Sequence, residues 1–342
     1  VGLAGTAPDG ARELGYHGGN INAAKCLFPN APEPWIDLST GINPEPYPVG
    51  TIPASAWSRL PQPAELAALA AAARAAYGAK PPIGVVAAPG TQALIQWLPR
   101  IFPARRVGVL GFTYHEHEAS WLAAGADVVT VAALADLAAF DVAVVVNPNN
   151  PDGRLLTPAE LTAIAGMLAR RGGRLIVDEA FMDVMGRQDS LVPHLPEAGA
   201  VVLRSFGKVY GLAGLRLGFA AASAEDCRRL REAIGPWAVS GPAIEIGRRA
   251  LMDERWLAET VARLQDEANR LDRLLRSAGF DVLGGTPLFR LARHDEAAAW
   301  FGRLCQAGIL TRPFRAKPDW LRFGVPHGQA EWQRLQAVVM KA

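Results

Sequence analysis

The chain has 342 residues, half of them apolar, and a formal charge of +2 from 35 basic and 33 acidic side chains. That length exceeds one ordinary domain and supports a large core with a smaller companion. A charge so near neutral, carried by scattered rather than clustered arginines, excludes a nucleic-acid or other polyanionic polymer partner.

Cys26, Cys227 and Cys305 lie far apart with no second cysteine or histidine at ligand spacing, so free thiols and no metal are expected. Val1 to Arg12 has neither a basic n-region nor an apolar h-region, and no apolar run reaches about 18 residues. A cytoplasmic protein without a membrane segment is expected.

In chain order, the segment up to about Pro53 is rich in glycine and proline, as in His17-Gly18-Gly19-Asn20 and Gly41-Ile42-Asn43-Pro44, and reads as surface or cleft-crossing chain. The alanine-rich stretch Ala64 to Ala76 is predicted as a helix. Ile83 to Ala88, Arg106 to Leu110, Asp127 to Val131, Val142 to Val146, Arg174 to Val177, Val201 to Leu203 and Leu217 to Ala221 are predicted strands. Their near-continuous hydrophobicity suits strands covered on both faces, and their alternation with helical patterns points to an α/β fold with a parallel sheet between helices.

Thr157-Pro158-Ala159-Glu160 supplies an N-cap, a proline at the first helical position and a capping-box glutamate, before a periodic stretch that stops at Gly172-Gly173. A long amphipathic pattern from Asp253 to Ser277 precedes short strands at Phe289 to Leu291 and Leu321 to Val325, which together read as a smaller α+β domain. The expected divisions are 1–45, packing with the small domain and over the cleft, 46–235 for the large domain, and 236–342 for the small one.

The chemistry concentrates at the ends of the predicted strands. Gly90-Thr91-Gln92 follows one strand and opens a helix, so its amides and the Thr91 hydroxyl suit a phosphate at the helix's positive end. Ser205 and Arg216 offer a hydroxyl and a fork of donors to the same dianion. Asp178 closes another strand, and alternation turns its competitor Glu179 the other way. Lys208 sits between a strand and a loop holding Gly207, Gly211 and Gly214, where close backbone approach desolvates an amine. An amine to hold an aldehyde as a Schiff base, an acid for a pyridine nitrogen and donors for a phosphate are what pyridoxal 5'-phosphate requires.

These residues, with His17 to Asn20, Trp35 to Pro44, Asp178-Glu179-Ala180-Phe181 and the run Arg204 to Gly218, resemble the fold type I pyridoxal-phosphate enzymes of the aminotransferase superfamily over roughly residues 15 to 340. Within that superfamily the chain is most similar to the threonine-phosphate decarboxylases of cobalamin biosynthesis. The resemblance implies a homodimer with a mostly parallel sheet, Asn150 against the cofactor's phenolic oxygen and beside the substrate, and Tyr114 stacked on its ring. It also implies that Arg322 grips the substrate's α-carboxylate, that Asn43 lies near it with Gly41 in the same segment, and that His17 and Arg312 take the substrate's own phosphate.

Leu60, Phe181 and His117 stand where many relatives carry tyrosine, which puts a cross-subunit bond to the cofactor phosphate and a donor to the phenolic oxygen in doubt. The same residue types serve a decarboxylase and an aminotransferase on a phosphorylated substrate such as histidinol phosphate, because the orientation of the substrate selects the bond that breaks. A non-catalytic protein on the same fold is disfavoured by the presence of Lys208 with Asp178 and Arg216.

Overall fold

The computed structural model describes residues 17–340, which fall into a large unit, 46–261, and a small unit formed by 17–45 with 262–340. The small unit begins with α1 (Ile21–Leu27) and β1 (Ile36–Asp37). The large unit follows with α2 (Ala54–Ser58), α3 (Pro63–Tyr77), β2 (Gly84–Ala88), α4 (Thr91–Ile101), β3 (Arg106–Leu110), α5 (Glu116–Ala123), β4 (Asp127–Val131) and β5 (Val142–Val146). Then come α6 (Pro158–Ala169), β6 (Arg174–Asp178), β7 (Ala200–Ser205), β8 (Gly218–Ala222), α7 (Ala224–Ile234) and α8 (Gly241–Met252). The two units divide within α9 (Glu254–Ser277), so the stretch from 236 to 261 lies with the large unit.

The seven strands of the large unit are ordered β2-β8-β7-β6-β5-β3-β4. β7, β6, β5, β3 and β4 pair in parallel, whereas β8 runs antiparallel to both β7 and β2. The sheet is thus mostly parallel, as expected, and β8 is the strand that reverses. Every residue of Gly218–Ala222 is buried, and a strand buried on both faces shows the same unbroken apolar run whichever way it points. Reversing β8 has a consequence for the site: its first residue, Gly218, registers with Ala88 at the end of β2 and with Ser205 at the end of β7. The loops before β8 and after β2, β5, β6 and β7 therefore gather at one edge of the sheet, where open α/β sheets bind ligands.

The helices start where the caps require. In α6 the Thr157 hydroxyl accepts from the Glu160 amide while Glu160 accepts from the Thr157 amide at 2.8 Å; α3 repeats the second bond between Gln62 and Glu65 and ends on Gly78 in the left-handed region. β5, buried at all positions, packs in a core with Leu94, Leu98, Val107, Trp121, Ile176 and Leu203.

The small unit adds β9 (Asp281–Thr286), β10 (Phe289–Arg293), α10 (Ala297–Gln306), β11 (Ile309–Leu310), β12 (Arg312–Phe314), β13 (Lys317–Gly324) and α11 (Gly328–Val339). An antiparallel sheet in the order β12-β13-β10-β9 and a two-stranded parallel pair, β1 with β11, build it. Leu275, Phe280, Trp300, Phe323 and Trp332 fill its core. The early segment is thus tied to this unit by main-chain pairing of Ile36 with Ile309 and Asp37 with Leu310.

Candidate active site

At the loop-bearing edge of the large sheet lies a cavity of about 160 Å³ lined by Gly90, Thr91, Gln92, Tyr114, Asn150, Asp178, Ser205, Lys208 and Arg216, together with Ala180 and Phe181. Each large-unit residue singled out in the sequence for the cofactor lies on that lining, brought there by the connections that follow β2, β3, β5, β6 and β7.

One end of the cavity is shaped for an anion. Gly90, at φ 86°, ends the β2 turn, and no side chain caps α4, whose first residues are Thr91 and Gln92. A Cβ on Gly90 would sit 2.8 Å from Arg216 Nη2, and one on Gly218 would sit 2.6 Å from the Thr91 nitrogen. The missing side chains let the guanidinium lie against the start of the helix. Arg216 itself adopts the left-handed region at φ 54° and donates from Nη1 to the Ala213 carbonyl at 3.0 Å, which fixes its approach. Helix-start amides, the Ser205 hydroxyl and a guanidinium fork form a donor set suited to a phosphate dianion.

The opposite chemistry sits on β6. Asp178 is 3% exposed; His117 donates from Nε2 to its Oδ2 at 2.8 Å, and the Ala180 amide donates to Oδ1 at 3.0 Å. A carboxylate so placed is held in position and lies on the cavity lining. Lys208 brings its Nζ to 5.3 Å from the centre of the Phe181 ring. The loop beneath it is braced by aromatic rings: Phe206 stacks on Tyr210 at 4.3 Å between centroids, and Tyr210 stacks on Trp256 at 5.6 Å. Tyr114 is oriented by its hydroxyl, which donates to Gln92 Oε1 at 3.2 Å, while Gln92 Nε2 donates to Glu116 at 2.7 Å.

Residues that carried no role in the sequence complete this arrangement. His117, noted only as a replacement for tyrosine, is fully buried and is the side-chain partner of Asp178. Asn149 is fixed by Thr113, Asp152 and the Phe112 carbonyl, and so anchors the loop that presents Asn150. Arg204, one residue before Ser205, is 4% exposed and clasps Glu179, Asp183 and Ser190. Burial would lower its pKa, but Asp183 and Glu179 more than reverse that and hold the guanidinium charged.

His17, Gly41, Asn43, Arg312 and Arg322 all belong to the small unit. Arg322 on β13 is 3% exposed, stands directly opposite Arg312 of β12, and donates from Nη2 to the Ser39 carbonyl at 2.7 Å. Burial, and then the charge of Arg312, push it down to about 9 against the pull of Asp37. Two buried or half-buried cations in register repel, and an anion brought to them relieves the strain. Ser39 also ties in the first segment, since its hydroxyl accepts from the Gly19 amide at 2.7 Å just after His17. Asn43 is 2% exposed, and its Oδ1 accepts from the Glu45 amide at 3.0 Å and from Arg263 at 2.9 Å; Gly41 is buried two residues earlier.

The profile of the class I and II aminotransferases matches residues 54–337, and the chain belongs to that family. The threonine-phosphate decarboxylase of Pseudomonas aeruginosa is 42% identical over 95% of this chain and 97% of its own length. A threonine-phosphate decarboxylase from a Sinorhizobium species is 46% identical over 93% and 96%. Among solved structures, the histidinol-phosphate aminotransferase of Sinorhizobium meliloti in complex with pyridoxal-5'-phosphate superposes with a TM-score of 0.80 at 20% identity, covering 100% of this chain and 99% of that one. The fold is therefore that of the aminotransferases, and the chain is a pyridoxal-phosphate-dependent enzyme. The cradle between Gly90, Gly218 and Arg216, with Asp178 and Lys208 on the same cavity, fits that group.

Proposed function

We propose that the chain removes the α-carboxylate of L-threonine O-3-phosphate to give (R)-1-aminopropan-2-ol phosphate, a step in cobalamin biosynthesis. The observation that carries this reading is the likeness to two threonine-phosphate decarboxylases along nearly the whole of both chains.

When bound, the cofactor offers an aldehyde that links to amines and a cationic ring that takes up the electron pair of a bond broken at the α-carbon. The residues of the chain do the rest. Thr91, Gln92, Ser205 and Arg216 would hold the phosphate, with Tyr114 toward the ring and Asn150 toward the phenolic oxygen. Asp178, oriented by His117, would keep the ring nitrogen protonated, as an adjacent anion does. Lys208 would hold the aldehyde, and its Nζ would hold a proton for the carbon that the carboxylate leaves. Arg322 receives the carboxylate, with Asn43 and Gly41 beside it, and Arg312 and His17 take the substrate's phosphate.

We place the enzyme in the cytoplasm as a homodimer. The free state of Cys26, Cys227 and Cys305 supports a reducing compartment, and no helix among the described residues is long and apolar enough to cross a membrane. Trp57 and Leu60, exposed at 69% and 60% with Leu60 lining a groove of about 310 Å³, support a second copy at that face. Light scattering tests the dimer, and a fully active monomer at low concentration refutes it.

Incubating the loaded protein with O-phosphothreonine, with and without a keto acid, tests the reaction. Carbon dioxide and aminopropanol phosphate in equal amounts, independent of keto acid, are expected. Release of a keto acid with conversion of the cofactor to its amine form, and no carbon dioxide, would replace the decarboxylase with an aminotransferase.

A further inference from the structure

Side chains alternate along β6 and β7, so the two residues that reach the cavity, Asp178 and Ser205, each have a neighbour turned away from it, Glu179 and Arg204. Those neighbours meet. Arg204 Nη1 donates to Glu179 Oε2 at 3.0 Å and to Ser190 Oγ at 3.1 Å, and Nη2 pairs with Asp183. Glu179 is fully buried and also accepts from the Ser190 hydroxyl and the Leu191 amide, both at 2.6 Å. The guanidinium lies 4.3 Å from the centre of the Tyr77 ring.

The two carboxylates that Arg204 grips bracket one turn. Between Glu179 and Asp183 the chain displays Ala180 and Phe181 to the cavity. The Ala180 amide orients the Asp178 carboxylate, and the Phe181 ring faces the Lys208 ammonium. Arg204 therefore grips both ends of the turn that touches the acid and the amine of the site, while its own backbone carries Ser205. A planar fork with fixed donor directions is the side chain suited to bridging two carboxylates at set positions.

Stability is a poor explanation for such a cluster. Buried ion pairs gain little over well-packed apolar residues, because desolvating the charges offsets most of their attraction. Geometry is the better one. We propose that Arg204 is a positioning residue for the cofactor site, acting through Glu179 and Asp183 to set Asp178, Phe181 and Ser205 against Lys208. The inference rests on the reading of the cavity as the pyridoxal-phosphate site.

Asp183→Asn, which keeps the size of the side chain, and Arg204→Lys, which keeps the charge but loses the fork, separate the possibilities. The measurements are the dissociation constant of pyridoxal phosphate by absorbance titration of the apo-protein, kcat and KM for O-phosphothreonine, and the melting temperature of the apo-protein. For each variant that melts cooperatively, we expect cofactor binding weaker by about tenfold and kcat lower by about tenfold, with KM within twofold. Glu179→Gln provides the same reading if Asp183→Asn does not fold. Dissociation constants and kcat within twofold of the unaltered protein overturn the proposal, and do so whether or not the melting temperature falls, since a purely structural clasp would move only the latter. Failure of the unaltered protein to bind the cofactor would instead overturn the reading of the cavity.

Discussion

Gly90→Ala tests the anion cradle most directly. Gly90 has φ 86° and ψ 157°, a region in which only glycine is comfortable, so alanine there is strained by about 1–3 kcal/mol. Its Cβ would also lie 2.8 Å from Arg216 Nη2 and 3.2 Å from Cζ, and the guanidinium has to retreat by about half an ångström or more to regain ordinary contact. A charge-assisted hydrogen bond to the phosphate contributes about 1.5–3 kcal/mol, so losing its alignment weakens cofactor binding by roughly ten- to hundredfold. Gly218→Ala should be at least as damaging, because its Cβ meets the Thr91 nitrogen at 2.6 Å and backbone cannot swing aside. Gly214→Ala has nothing within 4 Å and should bind within twofold of the unaltered protein. The assay is absorbance titration of each folded apo-protein with pyridoxal phosphate. Unchanged affinity in Gly90→Ala, or equal losses in Gly90→Ala and Gly214→Ala, would refute the argument that close backbone approach shapes this end of the site.

Borohydride treatment of the loaded protein should leave the cofactor on a peptide containing Lys208, and Lys208→Ala should fold without turnover; label on another lysine contradicts the assignment. Arg216→Ala should weaken cofactor binding by tenfold or more, whereas His17→Ala and Arg312→Ala should leave it unchanged and raise KM for a phosphorylated substrate, and identical behaviour of the two sets refutes the partition. Arg322→Met should make the ligand-free protein more stable at pH 7 by up to about 2 kcal/mol while raising KM for the substrate. The sign with pH follows from burial pushing Arg322 below its unfolded value: the penalty is complete at neutral pH and fades above about 9, so the gain in denaturant midpoint should shrink there. Arg322→Gln should raise KM far more than it lowers kcat.

Residues that act through sequence-local geometry were legible in the chain. The strand-to-helix turn at Gly90, the run from Ser205 to Arg216 and the strand-ending Asp178 each announce themselves by a few neighbouring residues, and the folded chain gathers them on one cavity. His117 did not, because its partner is 61 positions away and only the packing of α5 against the sheet brings the two within 2.8 Å. Arg204 was hidden differently: a charge just past a predicted strand reads as an exposed position unless its two carboxylates are seen. β13 begins at Lys317 rather than Leu321 because Lys317-Pro318-Asp319 carries no apolar signal, yet Phe314 and Lys317 pair to form the end of a hairpin. The direction of β8 has no local signature at all.

A decarboxylase faces a problem at the residue that recognises its substrate. The carboxylate leaves as neutral carbon dioxide, so an arginine that holds it strongly stabilises the ground state more than the transition state and slows the reaction by the difference. An aminotransferase keeps its carboxylate and has no such conflict. In the proposed reaction the conflict is eased if the phosphate end of the substrate supplies the anchoring and Arg322 only directs the carboxylate. The small unit is built in a way that favours this division. Arg312 opposes Arg322 across β12 and β13, so strand register rather than a flexible loop sets the two residues side by side. Arg322 is already partly engaged by the Ser39 carbonyl, and that shared donor is one it cannot also give in full to the substrate. Binding energy drawn from the remote phosphate can then be used to hold the scissile bond in its reactive orientation, which is why loss of Arg312 should lower kcat as well as raise KM, while loss of Arg322 should be felt mainly in KM.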